Sequence, residues 1–189
     1  PDPADPGTLV VRAPRLAAGV PRMLALELGL KLPAELAVGI AIEHNGHVTA
    51  RDRRGPLTVT TGRGDLRFEQ CAAPITARTG RGNVIAFDHA GDLVLETAVG
   101  DMQVFVRRPG ERIRLDTGEG TVQCYIPPTT GFRLDARAQI GKCGSSFGFP
   151  VEHPSEYSAA MTGARGDERT EILLRTGKGH LSLGAKTFE

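Results

Sequence analysis

From Gly46 onward, apolar and polar residues alternate in short units, each opened by a glycine or an alanine. GHVTARDRR begins at Gly46, GPLTVTTGR at Gly55, GDLRFEQCA at Gly64 and APITARTGR at Ala73. GNVIAFDHA follows at Gly82, GDLVLETAV at Gly91 and GDMQVFVRR at Gly100, so that successive starts lie nine residues apart (55−46, 64−55, on to 100−91). Later units, at Gly110, Gly120, Gly131 and Gly141, are ten or eleven residues apart. Within a unit the second and fourth residues after the opening one are apolar, the period-2 signature of a half-buried strand. Leu66 and Phe68, Val84 and Ala86, Met102 and Val104 fill these positions in one kind of unit; Leu57 and Val59, Ile75 and Ala77, Leu93 and Leu95 fill them in the other.

The two kinds are told apart by a threonine three residues ahead of the glycine. Thr61 precedes Gly64, Thr79 precedes Gly82, Thr97 precedes Gly100, Thr117 precedes Gly120, and Thr176 precedes Gly179. The repeat is therefore about eighteen residues (82−64, 100−82) made of two short strands and two corners. No single strand of this kind can bury its apolar face alone. Winding the chain so that homologous strands stack ~4.8 Å apart places each inward pair on its counterpart one coil away. The pattern predicts an all-β fold, a single-stranded β-solenoid resembling a parallel β-helix, with about 18 residues and two short strands per coil. The competing reading, an antiparallel sandwich, calls for Asn-Gly or Asp-Gly hairpin turns and no eighteen-residue homology. In the solenoid the threonine-glycine pairs are structural corners, where glycine takes positive φ and the hydroxyls bond along the ladder or to corner backbone.

At the ends the pattern loosens. Residues 1–23 read as an N-terminal extension with a candidate edge strand in TLVVRAP, and 24–189 as the solenoid domain. Alternating leucines (Leu24, Leu26, Leu28, Leu30, Leu32) predict further strands before Gly46. Residues 149–168 break the register with two prolines and read as a corner insertion with one helical turn at Ser155–Met161, after which the last coil runs from Ile172 to Leu183. The start at Pro1, without Met and in the linker-like PDPADP, is expected of a trimmed or processed chain. One outward row is aromatic: Phe87, Phe105 and Tyr125 fall on consecutive coils with Ile85 beside them, giving a candidate contact face unless the N-terminal segment or the insertion covers it.

Charge and composition narrow the function. With 23 basic and 22 acidic residues, a net charge of +1 and no Trp, the chain lacks the basic, aromatic-rich footprint expected of a nucleic-acid partner. No run of residues approaches the ~18 apolar positions of a membrane span. No catalytic constellation, cofactor fingerprint or metal-ligand spacing emerges, so a non-enzyme without cofactor is expected. Gly144-Ser145-Ser146-Phe147-Gly148 spells a nucleophile elbow, but Phe149-Pro150 follows it where a helix is required. The histidines (His44, His47, His89, His153, His180) are scattered without a third ligand. Cys124 and Cys143 point inward on what read as neighbouring coils, either as packed thiols or as a disulfide, while Cys71 sits at an accessible corner. Arg63-Gly64-Asp65 and Arg165-Gly166-Asp167 both spell the tripeptide that animal integrins read. The first coincides with a corner; the second lies in the irregular insertion and is the better candidate for display.

The units GDLRF, GDLVL and GDMQV, the T-x-x-G corners, KLPAEL at Lys31–Leu36, IPPTTGF and the closing LRTGKGHLSL together resemble a bacterial family of adhesin-like domains with β-strand repeats, a domain of unknown function. The resemblance covers roughly residues 24–184. It implies a β-solenoid and a role at the cell envelope or surface, and it carries over no catalytic residues. The expected function is a non-enzymatic binding or structural module with an unidentified protein or glycan partner. The alternatives are a scaffold that self-associates through its ends and, third, a carbohydrate-active β-helix enzyme.

Overall fold

A computed structural model describes residues 29–188. The chain divides into two units, Pro1–Leu32 and Pro33–Glu189, and the fold below is that of the second. The strand predicted in TLVVRAP, and those predicted around Leu24, Leu26 and Leu28, lie outside the described residues. Residues 29–37 contain no strand, contrary to the alternation at Leu30 and Leu32. Pro33 brings no backbone N–H to a ladder, and the chain turns there, with the Leu36 N–H donating to the Pro33 carbonyl at 3.3 Å.

The described residues are all-β, without a helix. Eleven strands form one sheet system: β1 (Val38–Asn45), β2 (Val48–Arg51), β3 (Leu57–Arg63), β4 (Leu66–Glu69), β5 (Ile75–Arg81) and β6 (Val84–Val99), then β7 (Met102–Glu119), β8 (Val122–Ile126), β9 (Phe132–Ser145), β10 (Ala159–Arg165) and β11 (Thr170–Ala185). All named strand pairs are parallel except β9 with β10. The register follows the sequence repeat. Leu57 pairs with Ile75 and Ile75 with Leu93, while Val48 pairs with Leu66 and Leu66 with Val84. Each step is eighteen residues (75−57, 93−75, 66−48, 84−66). Bulges between Ala86 and Leu93 take up the extra residues of β7, so that Leu93 meets Ile113. The inward apolar pairs of β2 to β8 and of β11 line one continuous core, and in β3 and β5 Thr58, Thr60, Thr76 and Arg78 face out.

The C-terminal third departs from sequential stacking. The last strand, β11, lies between β7/β8 on one side and β9 on the other. Ile172 is in register with both Ile113 and Leu134, and Leu183 with both Cys124 and Ser145. The corner chemistry accounts for this order. Thr176-Gly177-Lys178-Gly179 repeats the Thr117-Gly118-Glu119-Gly120 corner, and the Thr176 hydroxyl donates to the Gly120 carbonyl at 3.0 Å. The unit in β9 has Ala138 where the threonine belongs, so it cannot make that bond and sits one place further out.

Within 149–168 the predicted helical turn at Ser155–Met161 is absent, and β10 occupies its second half. Ala159 and Met161 are buried, and the strand pairs antiparallel with β9 from Ala159↔Ala138 to Arg165↔Phe132. A single helical turn satisfies few backbone groups, whereas an open edge of β9 offers a full row of partners. A bridge between Glu152 and Ala160 covers part of the outer side of β10.

Candidate functional site

The corners are built from two hydrogen-bond ladders. In the first, each lead-in threonine donates to the carbonyl of the corner glycine in the preceding repeat: Thr79 to Gly64 at 3.1 Å, Thr97 to Gly82 at 3.2 Å, Thr117 to Gly100 at 3.0 Å. Thr61 donates to Gly46 in the same way at 3.3 Å. All four of these threonines are buried, as is Thr176. In the second ladder, the residue after the glycine accepts the N–H of its counterpart one repeat on. Asp65 Oδ1 accepts from Asn83 at 2.8 Å, Asn83 Oδ1 from Asp101 at 2.9 Å, and Asp101 Oδ1 from Thr121 at 2.7 Å. His47 Nδ1 heads the row, accepting the Asp65 N–H at 3.0 Å. Sequence reasoning had aligned these positions without seeing the bonds; carboxylate or amide at eighteen-residue spacing was the signal.

The glycines between the ladders have no substitute. Gly82 and Gly100 hold φ at 151° and 153°, and a Cβ on either would fall 2.2 and 2.0 Å from the carbonyl oxygen of the preceding corner glycine. Gly64, Gly120 and Gly179 repeat this arrangement.

The aromatic row stands as one column. Phe87 and Phe105 meet edge to face with centroids 5.5 Å apart, and Phe105 and Tyr125 stack at 4.8 Å with planes 7° apart. Below Tyr125 the register position is Gly184, and the tyrosine ring lies where a Cβ of that glycine would be. Phe87 is 47% exposed, while Ile85, Phe105 and Tyr125 are half-buried. The N-terminal segment expected as one cover lies outside the described residues; among those described, the residue over the rings is Lys186. Lys186 Nζ lies 4.2 Å from the Phe105 centroid, 5.6 Å from that of Phe87 and 5.9 Å from that of Phe188. Segment 149–168 packs elsewhere, with Phe149 against Phe132 at 5.8 Å. Beside Phe87 in the register, Glu69 is held below the usual carboxylate range by the Arg67 hydrogen bond, with Arg51 adding to it at 2.7 Å.

The remaining candidates are mostly tied into the framework. Asp65 of the first Arg-Gly-Asp sits in the second ladder, and Arg63 faces out in register with Arg81. In the second copy, Arg165 ends β10 with its guanidinium 5.2 Å from the Phe147 ring centre, Gly166 turns the chain at φ 66°, and Asp167 pairs with Arg169 at 2.6 Å. Ser146 Oγ accepts the Ala185 N–H at 2.7 Å, and His153 Nδ1 faces the Ser158 carbonyl, so the two share no bond. His89 is buried, with Nε2 3.2 Å from the Asp92 carbonyl, and burial pushes its pKa down.

The cysteines correct two expectations. Cys71 is buried rather than accessible, folded inward at a corner beside the Ala50 and Glu69 carbonyls. Cys124 and Cys143 are not neighbours, because β11 separates them: Cys124 pairs with Leu183 and Cys143 with Leu181. All three are free thiols. Burial raises the pKa of each, that of Cys124 to about 12.

Among the described residues no group of three His, Cys, Asp or Glu side chains is placed to hold a metal ion, and no helix is long and apolar enough to cross a membrane. No protein-family model, curated protein or solved structure matches the chain.

Proposed function

We propose that the chain is a β-solenoid of about eighteen residues per coil acting as a non-enzymatic binding or structural module, associated with the cell envelope or surface like the adhesin-like domains it resembles. The coil size rests on the eighteen-residue steps in register from Leu57 to Ile75 to Leu93. The module reading rests on one observation: the polar side chains of the corners are engaged with a neighbouring repeat. Thr79, Thr97, Asp65, Asn83 and Asp101 each bond backbone one repeat away, which builds a stiff frame instead of a reactive cluster. Phe87, with its neighbours in the aromatic column, is then the contact face. Phe105 and Tyr125 stack face to face while Phe87 stands edge-on to Phe105, and this leaves room for a single side chain or cation more readily than for a sugar laid flat across the column.

Co-sedimentation with the isolated envelope fraction of the producing cells tests the reading. The protein is expected to pellet with envelopes, to be released by Phe87→Ser, and to be unaffected by Thr76→Ser on the opposite outer surface. A wild-type protein that stays wholly in the supernatant would sink it.

Self-assembly through the ends has one observation in its favour. Among the described residues β1 pairs on one side only, with β3. At the far end the bridge between Glu152 and Ala160 occupies part of the outer side of antiparallel β10, so the fit is end to end between two β1 edges rather than an open filament. Light scattering across protein concentration distinguishes the two: a dimer limit supports pairing, and a constant monomer mass excludes it.

A further inference from the structure

We propose that Phe87, Phe105 and Phe188 form an aromatic cage for an alkylammonium group, that Lys186 is its built-in occupant, and that the cage takes a small quaternary ammonium ligand of the choline class when Lys186 withdraws. Three rings have their centres within 6 Å of one ammonium nitrogen, the nearest at 4.2 Å. That is the distance range in which the negative face of an aromatic ring attracts a cation. Among the described residues Lys186 makes no ion pair, and the partners of its charge there are the rings. The nearest carboxylate in the ladder register, Glu69, is already committed to Arg51 and Arg67.

The strap carrying Lys186 is anchored by its backbone, with the Lys186 N–H donating to the Ile126 carbonyl at 2.9 Å. Vacating the cage therefore needs only rotation of a long, flexible side chain. A primary ammonium is a strongly hydrated point charge, and enclosing it among rings costs solvation. A quaternary ammonium carries no N–H donors to strip of water and spreads its charge over methyl groups, which suits a cage without a carboxylate. The tethered lysine competes at an effective concentration of order millimolar, so wild-type affinity for a free ligand is masked. Phe87, half open to solvent at 47% exposure, is the side from which a ligand enters.

This deepens the contact-face reading, and the two can fail separately, because envelope retention is measured with no ammonium present. The experiment is a proton NMR titration of tetramethylammonium chloride, then of choline chloride, at fixed ionic strength, following the N-methyl signal that ring currents shift upfield. Wild type, Lys186→Ala, Lys186→Gln and Lys186→Ala/Phe87→Ala are compared, with circular dichroism confirming that each keeps its strand signal. Phe87 is chosen because its exposure spares the core. Removing Lys186 is expected to tighten binding by roughly five- to thirtyfold, the range that one cation–aromatic contact spans. Adding Phe87→Ala is expected to return binding to wild-type level or below. No shift of the methyl signal with either Lys186 variant would overturn the cage, as would a shift that survives loss of Phe87.

Discussion

At the scale of single residues, the corners set the most stringent demands. Gly82 and Gly100 combine a left-handed φ with a neighbouring carbonyl oxygen about where a Cβ would go, 2.2 and 2.0 Å away. Gly100→Ala is expected to cost more than about 3 kcal/mol, since backbone strain and a backbone clash act together. Val99→Lys, one residue earlier and outward, should lie within about 0.5 kcal/mol of wild type. Urea unfolding of the two variants checks the contrast, and equal midpoints would refute it. His89 gives a pH dependence. Its folded-state pKa is depressed by burial, so below about pH 6.5 the unfolded chain binds a proton that the folded chain refuses. More protons bound when unfolded means that stability rises with pH. Stability is therefore expected to fall as pH drops from about 6.5, and His89→Gln to flatten that slope. Melting temperatures of both proteins between pH 7.5 and pH 5 would show it, and parallel curves would remove His89 as the cause. These two features differ in how far the sequence revealed them. The Thr-x-x-Gly spacing announced the corners, whereas His89 looked like one scattered histidine because nothing in a linear pattern marks a bulge that turns a side chain inward.

At the scale of strands and rows, period-2 alternation was enough to find the core pairs and their parallel register, since each inward position has a homologue eighteen residues on. It was not enough to order the last strands. β9 and β11 both offer apolar pairs that fit beside β7, and the choice goes with two hydroxyls of β11, Thr176 bonding to Gly120 and Thr170 to Gly110, where β9 has Ala138 and Phe132. β10 escaped for a different reason: seven residues of weak alternation become a strand only because an edge of β9 is there to pair with. The aromatic column was visible as a row, but its cover was not, because Lys186 acts through tertiary position and no local pattern carries that. The order of β9 and β11 has a chemical consequence. With Leu181 and Leu183 between them, Cys124 and Cys143 have no route to a disulfide. Thiol titration without reductant is expected to give three equivalents in denaturant, with slow reaction in the native state and Cys124 the last to respond. Finding one equivalent in denaturant would mean a bridge and would displace β11 from its place.

For the whole molecule, the inserted strand makes the fold depend on its last residues. Ile172 pairs with Ile113, fifty-nine positions back (172−113), so β11 docks only after a long loop closes, while neighbouring repeats close over eighteen residues. Loop entropy grows with length and delays non-local pairing, which places the early structure in β3 to β7 and the late structure in β11. Leu95 and Leu174 allow a matched test. Both are fully buried leucines in the same inward row, Leu95 in register with Leu115 and Leu115 with Leu174. Truncating either to alanine removes equivalent atoms from the same core and is expected to cost about 2–5 kcal/mol. The kinetic signatures should differ. Leu95→Ala is expected to slow refolding, because its contacts form before the barrier. Leu174→Ala should leave refolding nearly unchanged and speed unfolding, because its contacts form after it. Stopped-flow chevrons of the two variants decide the matter. If Leu174→Ala slows refolding as much as Leu95→Ala does, β11 belongs to the nucleus, and the parallel ladder assembles around its C-terminal strand instead of being completed by it.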